Sequence, residues 1–439
     1  MQAKKNLIIN PSCLNPLVGD IGESDTLAIN ERSKQMMAAG KTVYRFGLGQ
    51  SPFPVPDSVV EGLRLNAAQK DYLNVKGLPL LRETVAEFHR IKDEIVSDPE
   101  SVLIGPGSKE LVFLLQLVFN GEIIIVSPCW VSYIPQALIL GKKISVIHST
   151  YKDKWQLTPS LFREFLENRE DKNKPALMIL NYPGNPDGVT FNEKTLEKIA
   201  DLAREHNILI LSDEIYGQLH HEGKHVSIGR FYPEGTIVSS GLSKWCGAGG
   251  WRLGTFTFPT HLRWLADKMA AVASETYTSV SAPIQYAAVS AFKGGTDIEE
   301  YLWHVRKILS NVGLEITRIL NKGGVKVNEP LGGFYLFLDF SSHMKTLRKA
   351  GISTSKELCE RLLEETGVAI LPGSSFHRPQ EELTARLAYV DFDGAAALAA
   401  ARTISLSKPL PDHFNKTYCP RVIDGASAIS TWLQAKNKK

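Results

Sequence analysis

A lysine and an arginine stand close together in a segment of mostly small residues. Lys244 lies in the run SGLSKWCGAGGWRLG, residues 240–254, and Arg252 follows it after eight positions. A lysine amine can condense with a carbonyl group, and a guanidinium is a fixed cation whose planar fork of donors suits a carboxylate or phosphate. The small residues leave room for a flat molecule beside the amine. The segment therefore indicates covalent chemistry at Lys244 next to an anion site at Arg252.

Short apolar runs predict the strands that position this segment. The runs are residues 123–126, 177–180, 208–211 and 237–239. Each is too short for a helix and ends at a polar or turn residue, and a helical pattern separates the second run from the third. Ligands of open α/β sheets bind at the carboxyl ends of the strands. We therefore expect the polar segments after these four runs, the Lys244 segment among them, to face one crevice.

The chain of 439 residues is long enough for two hydrophobic cores. The predicted fold class is α/β, with a three-layer α/β/α large domain around a mostly parallel sheet and a smaller α+β domain. Residues 1–48 are assigned to an N-terminal arm and part of the small domain, residues 49–300 to the large domain, and residues 301–439 to the small C-terminal domain.

Composition argues against several classes of protein. A net charge of +3 without a basic stripe argues against nucleic-acid binding, and the longest apolar stretch, residues 111–119, is far below the ~18 residues of a membrane span. The N-terminus shows no secretory signal. We therefore expect a cytoplasmic protein, with neither nucleic acid nor membrane as a partner, whose terminal Lys436, Lys438 and Lys439 form a solvated tail.

The cysteines support a reducing compartment. They are odd in number, far apart and without CxxC spacing: Cys13, Cys129, Cys246, Cys359 and Cys419. This pattern predicts neither a disulfide framework nor a zinc site, and no other metal site is expected.

Several motifs occur together with Lys244 along the chain. In order they are Tyr72 with Gly77, residues 107–109, Trp130, residues 185–188, Asp213 with Tyr216, Lys244, Arg252 and Arg386. In this order the chain resembles the fold-type I pyridoxal-phosphate-dependent enzymes, specifically the class I/II aminotransferases of the aspartate aminotransferase type. The resemblance covers about residues 20–405, and the residues after 405 look like an extension outside it.

The resemblance implies a pyridoxal 5′-phosphate cofactor held by Lys244 as a Schiff base. The freed lysine amine would then move the proton of the substrate α-carbon. Asp213 would pair with the pyridine nitrogen so that the ring acts as an electron sink. Tyr216 and Asn185 would donate hydrogen bonds to the phenolic oxygen, and Trp130 would stack on the ring.

The same resemblance assigns the anion contacts. Gly107, Ser108 and Lys109 open a helix whose amino end would receive the phosphate, together with Arg252 and, more weakly, Ser243.

A further set of residues is assigned to the substrate and to a second subunit. Arg386 would grip the substrate α-carboxylate, with Gly49 and Asn181 completing that site. Tyr72 would reach the phosphate of a neighbouring subunit, which implies a homodimer.

Each residue taken alone has a plainer interpretation. Asp213 could be a turn former or helix cap, Tyr216 and Trp130 core aromatics, Asn185 a turn residue and Arg386 a surface ion pair. Their joint occurrence in one order favours the functional interpretation.

The substrate is the least defined part of the prediction. Lys109 coincides with a lysine that one branch of the family uses for the distal carboxylate of aspartate or glutamate, although a helix-start lysine can also point to solvent. We therefore predict amino transfer between an acidic or broad-range L-amino acid and a 2-oxo acid such as 2-oxoglutarate. The alternatives are another reaction on the same fold, such as that of a C–S lyase, decarboxylase or cyclase, and a non-catalytic sensor.

Overall fold

The computed structural model describes residues 14–19 and 25–437, so Cys13, Lys438 and Lys439 lie outside the described residues. Its helices are α1 (Pro16–Gly19), α2 (Asp25–Ala38), α3 (Asp57–Asn66), α4 (Pro79–Lys92), α5 (Ser108–Val118), α6 (Tyr133–Ile139), α7 (Pro159–Glu167), α8 (Glu193–Glu205), α9 (Arg263–Ser274), α10 (Ala282–Lys293), α11 (Thr296–Lys322), α12 (Met344–Lys349), α13 (Ser355–Thr366), α14 (Gly394–Arg402), α15 (Phe414–Tyr418) and α16 (Pro420–Asn437). Its strands are β1 (Tyr44–Arg45), β2 (Val102–Gly105), β3 (Glu122–Ser127), β4 (Ile144–His148), β5 (Ala176–Asn181), β6 (Ile208–Asp213), β7 (Thr236–Gly241), β8 (Gly254–Thr257), β9 (Tyr335–Asp339), β10 (Val368–Ala369), β11 (Leu371–Pro372) and β12 (Thr384–Ala388).

A sheet of seven strands in the order β2-β8-β7-β6-β5-β3-β4 forms the centre of the molecule. Strands β4, β3, β5, β6 and β7 run parallel, while β8 is antiparallel to both of its neighbours. The predicted α/β class is confirmed. The four predicted strands correspond to β3, β5, β6 and β7. Sequence reasoning missed β2, β4 and β8; β4 and β8 contain polar residues and so form no continuous apolar run.

Both faces of this sheet are buried, which explains why its strands are continuous apolar runs. Along β3, Ile123 and Ile125 belong to a core that also contains side chains of α5 and α9. Ile124, between them, belongs to a separate core with side chains of α7 and α8. Successive side chains of a strand point to opposite faces, so one strand contributes to both cores and the large unit has three layers.

A smaller antiparallel sheet contains β11, β12 and β9, in that order. Separately, β1 pairs in parallel with β10, which joins residues 44–45 to residues 368–369. This pairing holds the N-terminal segment against the C-terminal part of the chain as it runs towards Gly47 and Gly49. The domain boundaries after residues 48 and 300 stay a prediction.

Part of the chain after residue 405 belongs to the core. Helix α16 packs on α11 and buries Val422, Ala426, Ile429 and Leu433. They share one core with α11 residues. The segment that lies outside the resemblance therefore contributes to the packed interior.

The expectation of a solvated tail is wrong for Lys436. Its ammonium lies 2.9 Å from the Glu365 carboxylate, and its side chain is 17% exposed. The ion pair fixes the last turn of α16 to α13.

We expect Ile429→Ala to lower the free energy of unfolding by about 2–5 kcal/mol, since it leaves a cavity between α16 and α11. Thr431→Ala, at an exposed position of the same helix, should change it by less than about 0.5 kcal/mol. Thermal and denaturant unfolding of the two variants measure the difference. Equal stabilities would show that α16 is not part of the cooperative core.

Candidate active site

A cavity of about 530 Å³ opens at the carboxyl ends of β5, β6 and β7, where the sequence predicts a crevice. Eleven of the predicted site residues line it: Gly49, Ser108, Lys109, Trp130, Asn181, Asn185, Asp213, Tyr216, Ser243, Lys244 and Arg252. The other three lie outside this lining. Gly107 touches Arg252, Arg386 contacts Asn185 behind the wall, and Tyr72 lies on the surface.

Asp213 is the last residue of β6 and is 3% exposed. Its Oδ2 accepts a hydrogen bond of 2.6 Å from the Tyr133 hydroxyl, while Oδ1 accepts from the Ser239 hydroxyl and the Ile215 amide. Burial raises the pKa of the Asp213 carboxyl, and these three hydrogen bonds oppose the rise. Because a carboxylate oxygen can accept two hydrogen bonds, Oδ2 keeps one accepting position.

Lys244 extends from the turn after β7 to the segment that follows β1. Its Nζ donates a hydrogen bond of 2.8 Å to the Gly49 carbonyl oxygen and lies 5.5 Å from the centroid of the Tyr216 ring. The amine is thus held within the cavity, next to a second predicted residue and over an aromatic face.

Arg252 and the first turn of α5 meet at one end of the cavity. The Arg252 guanidinium donates to the carbonyl oxygens of Gly249 and Pro106 at 2.9 and 3.2 Å. Gly107, which precedes α5, has φ +91°, and a Cβ atom there would lie 2.3 Å from Arg252 Nη2. The guanidinium therefore lies beside the amino end of α5, where fixed charge and helix dipole both favour an anion.

Lys109 and Trp130 lie side by side on the cavity wall, with the ammonium 5.1 Å from the ring centroid. Burial lowers the pKa of Lys109, and the charges of Arg252 and Lys244 lower it further. No carboxylate lies within ion-pair distance of the Lys109 ammonium among the residues that the structure describes. Lys109 is exposed and also lines the cavity, so its position fits both a ligand contact and a helix-start lysine in solvent.

Arg386 on β12 is 4% exposed and forms no ion pair with a carboxylate in the described part of the chain, so the surface ion-pair interpretation does not hold. Its guanidinium donates to Asn185 Oδ1 at 3.2 Å and to the Gly47 carbonyl oxygen. Its Nε has no hydrogen-bond partner in the described structure. A buried cation with an unused donor is suited to an anionic ligand.

The two predicted asparagines are joined to each other by a hydrogen bond. Asn181 Nδ2 donates to the Asp213 carbonyl oxygen at 2.7 Å, and its Oδ1 accepts from the Asn185 amide at 2.8 Å. Both ends of the Asn181 side chain therefore hold the turn that follows β5. Asn185, at the end of that turn, is the asparagine beside Arg386. Both asparagines line the cavity, so the expected part of Asn181 in the carboxylate site stays a prediction.

Sequence reasoning missed two tyrosines. Tyr133 begins α6, three residues after Trp130, and binds Asp213; Tyr335 begins β9 and contacts Tyr216. The spacing from Trp130 was a usable signal for Tyr133. Nothing in the strand-like segment around Tyr335 indicated a contact with the site.

Tyr72 lies on the loop between α3 and α4 and is 88% exposed. It does not line the cavity of its own chain. Its expected contact with a neighbouring subunit stays a prediction.

A mostly parallel sheet whose strand ends gather a lysine, a buried aspartate and an anion site defines a fold-type I pyridoxal-phosphate-dependent enzyme. The profile of the family described as aminotransferase class I and II matches residues 41–391. The chain belongs to this family, and it is a pyridoxal-phosphate-dependent aminotransferase that acts on amino acids and oxo acids.

The chain is similar to curated enzymes over most of its length. It is 32% identical to the aspartate aminotransferase of Bacillus sp. (strain YM-2), covering 83% of this chain and 92% of that protein. It is 31% identical to the asparagine–oxo-acid transaminase of Streptococcus mutans, covering 86% and 94%. The solved aspartate aminotransferase from Thermus thermophilus with maleate has a TM-score of 0.78 and 28% identity, covering 88% and 97%.

The residues present suit the cofactor. Asp213 Oδ2 has an accepting position for a protonated ring nitrogen, and Gly107 leaves the space that Arg252 needs beside α5.

Within the described residues, no helix is long and apolar enough to cross a membrane.

We expect Gly107→Ala to weaken the affinity for pyridoxal phosphate by about tenfold or more, because the new methyl group displaces Arg252. Cofactor retention during dialysis, followed by visible absorption, measures the effect. Gly19→Ala is the control, since a Cβ there meets no atom within 4 Å. Unchanged affinity in Gly107→Ala would argue against Arg252 as the phosphate contact.

Proposed function

We propose that this aminotransferase moves the amino group between an acidic L-amino acid, such as aspartate or glutamate, and a 2-oxo acid such as 2-oxoglutarate. The observation that carries the proposal is the Lys109 ammonium, which lies on the cavity wall over Trp130 and has no carboxylate partner among the described residues. An unpaired cation at this place favours a substrate that brings a second negative charge.

Lys244, Asp213 and Arg252 hold the cofactor in this proposal. Lys244 would bind it covalently, and its amine, once free, would move the proton from the substrate α-carbon to the carbonyl carbon of the cofactor. Asp213 accepts a hydrogen bond from the ring nitrogen, which keeps that nitrogen protonated. When bound, the cofactor supplies an electron sink for the substrate carbanion.

Other residues orient and shield the cofactor. Trp130 covers a ring face, and Tyr216 donates to the phenolic oxygen. Ser108 and the first turn of α5 bind the phosphate together with Arg252, and Ser243 is a weaker contact.

The substrate lies between two cations in this arrangement. Arg386, with Asn185 beside it, binds the α-carboxylate, and Lys109 binds the side-chain carboxylate. The named activities of the Bacillus and Streptococcus relatives concern aspartate and asparagine. The related Thermus structure holds maleate, a dicarboxylate of similar length to aspartate. Both findings support a substrate with a polar four-carbon skeleton.

A homodimer completes the proposal. Tyr72 does not line the cavity of its own chain, and its exposed side chain on the loop between α3 and α4 is available to a second copy. We also infer a reducing, cytoplasmic location, supported by Cys129, Cys246 and Cys419, which are buried thiols outside any disulfide.

The first experiment titrates the purified holoenzyme with amino acids and then with 2-oxoglutarate. Aspartate should convert the bound cofactor to its amine form, and the oxo acid should reverse the change in visible absorption. Lys109→Ala should lower the preference for aspartate over alanine, as a ratio of kcat/KM values, by about 10- to 100-fold.

Lys268→Ala removes an exposed lysine from α9 and should leave that ratio unchanged. A preference that survives Lys109→Ala would remove the acidic assignment. Release of ammonia or sulfide, without the reversible change in absorption, would replace transamination with a lyase reaction.

Hybrid dimers test the role of Tyr72. Lys244→Ala and Tyr72→Ala subunits, each with low activity alone, are coexpressed with different affinity tags and purified as the mixed dimer. If Tyr72 serves the partner's site, one of the two sites is intact, and about half of the wild-type activity should return. A hybrid no more active than its parents would place Tyr72 in its own subunit's site, and full activity of Tyr72→Ala by itself would place Tyr72 outside both sites.

A further inference from the structure

Tyr335 is a buried residue to which the motifs assign no role. It begins β9 and is 1% exposed. Its hydroxyl lies 2.8 Å from the Tyr216 hydroxyl and 3.4 Å from the Gly49 carbonyl oxygen. Tyr216 and Gly49 both line the cavity. The Tyr335 hydroxyl therefore contacts the site from behind its wall.

The small sheet places Tyr335 and Arg386 on one face. Tyr335 is paired with Ala388 across β9 and β12, and Arg386 lies two residues before Ala388. Paired residues and residues two apart point to the same side of a sheet. Consistent with this, the Arg386 guanidinium lies 4.8 Å from the centroid of the Tyr335 ring. One face thus supports the proposed carboxylate contact and reaches Tyr216.

The contact with Gly49 leaves no space for a side chain. A Cβ atom at residue 49 would lie 1.9 Å from the Tyr335 hydroxyl oxygen. The Gly49 carbonyl oxygen also accepts the hydrogen bond of Lys244. The hydroxyl of Tyr335 therefore lies in a fixed position next to the residues that surround the amine.

The two hydroxyls can share only one hydrogen between them. In the proposed function, Tyr216 uses its hydrogen on the phenolic oxygen of pyridoxal phosphate, so its own oxygen is left to accept. Tyr335 is the donor within reach at 2.8 Å, and its other acceptor, Gly49, is farther at 3.4 Å.

We propose that Tyr335 is a positioning residue whose hydroxyl donates to Tyr216 and directs the Tyr216 hydrogen towards the phenolic oxygen of the cofactor. The inference rests on the proposed role of Tyr216. A hydrogen bond received by Tyr216 polarises its O–H group and strengthens the bond that it donates. The charged groups that face the Tyr216 phenol are Lys244 from the turn after β7, Arg386 from β12 and Asp213 from β6.

The test is the pH titration of the visible absorption of the holoenzyme. Tyr335→Phe removes the hydroxyl and keeps the ring under Arg386. The phenolic oxygen then carries more negative charge, which holds the neighbouring imine proton to higher pH. We expect Tyr335→Phe to raise the pH at the midpoint of this absorption titration by about 0.4 to 1 pH unit. Tyr216→Phe should raise the same midpoint further.

Steady-state kinetics give a second readout. We expect kcat of Tyr335→Phe to fall about three- to tenfold, while KM for the amino acid stays within about twofold, because the Arg386 contact with the ring remains. A merely structural role would change thermal stability without this pattern.

Tyr389→Phe is the matched control. Tyr389 is also buried, and its hydroxyl donates to the Gly333 carbonyl oxygen at 3.3 Å rather than to a cavity residue. Its removal should move the absorption midpoint by less than about 0.2 pH unit.

A double-mutant cycle decides the outcome. In the Tyr216→Phe background, Tyr335→Phe should add no further shift of the midpoint. A shift that persists there, or no shift for Tyr335→Phe in the wild-type background, would overturn the inference and leave the proposed function intact. If Tyr216→Phe itself left the midpoint unchanged, the role of Tyr216 in the proposed function would fail, and the role of Tyr335 with it.

Discussion

Neighbouring pairs across three parallel strands place Asn181, Asp213 and Ser239 side by side at one edge of the large sheet. The Asp213 carboxylate accepts from Ser239, and the Asn181 amide donates to the Asp213 carbonyl oxygen. A slip of one residue in β6 would turn Asp213 to the opposite face of the sheet. Apolar side chains on both faces oppose such a slip, so hydrophobic packing fixes the position of the polar site.

The same edge buries a second carboxylate. Glu214 follows Asp213 and accepts hydrogen bonds from Ser212, Ser227 and His225. Buried carboxylates are costly unless donors surround them, and each of these two has its own set on its own side of the chain. Asp213 is therefore held in one orientation and still keeps an accepting position towards the cavity.

Asp391 is a buried acid that joins segments from the two ends of the chain by ion pairs. Asp391 accepts from Arg45 at 2.9 Å and from Arg421 at 3.0 Å. Arg45 precedes a segment with two carbonyl oxygens that accept hydrogen bonds from the site. Gly47 accepts from Arg386, and Gly49 accepts from Lys244. Arg421 is the second residue of α16. The ion pairs thus connect the position of Gly49 to the packing of α16.

The sequence by itself determined the parallel strands, the Lys244 segment and the set of residues at the strand ends. Strand periodicity and local motifs are properties of short segments, so they can be recognised without knowledge of the fold. Only the tertiary structure decided which distant groups meet. It brings Tyr133 to Asp213 across 80 residues and Tyr335 to Tyr216 across 119. It also places Asn185 rather than Asn181 beside Arg386, and it buries α16 in the core. These contacts arise from the packing of separate elements, and no periodicity within one segment records which other segment it will touch.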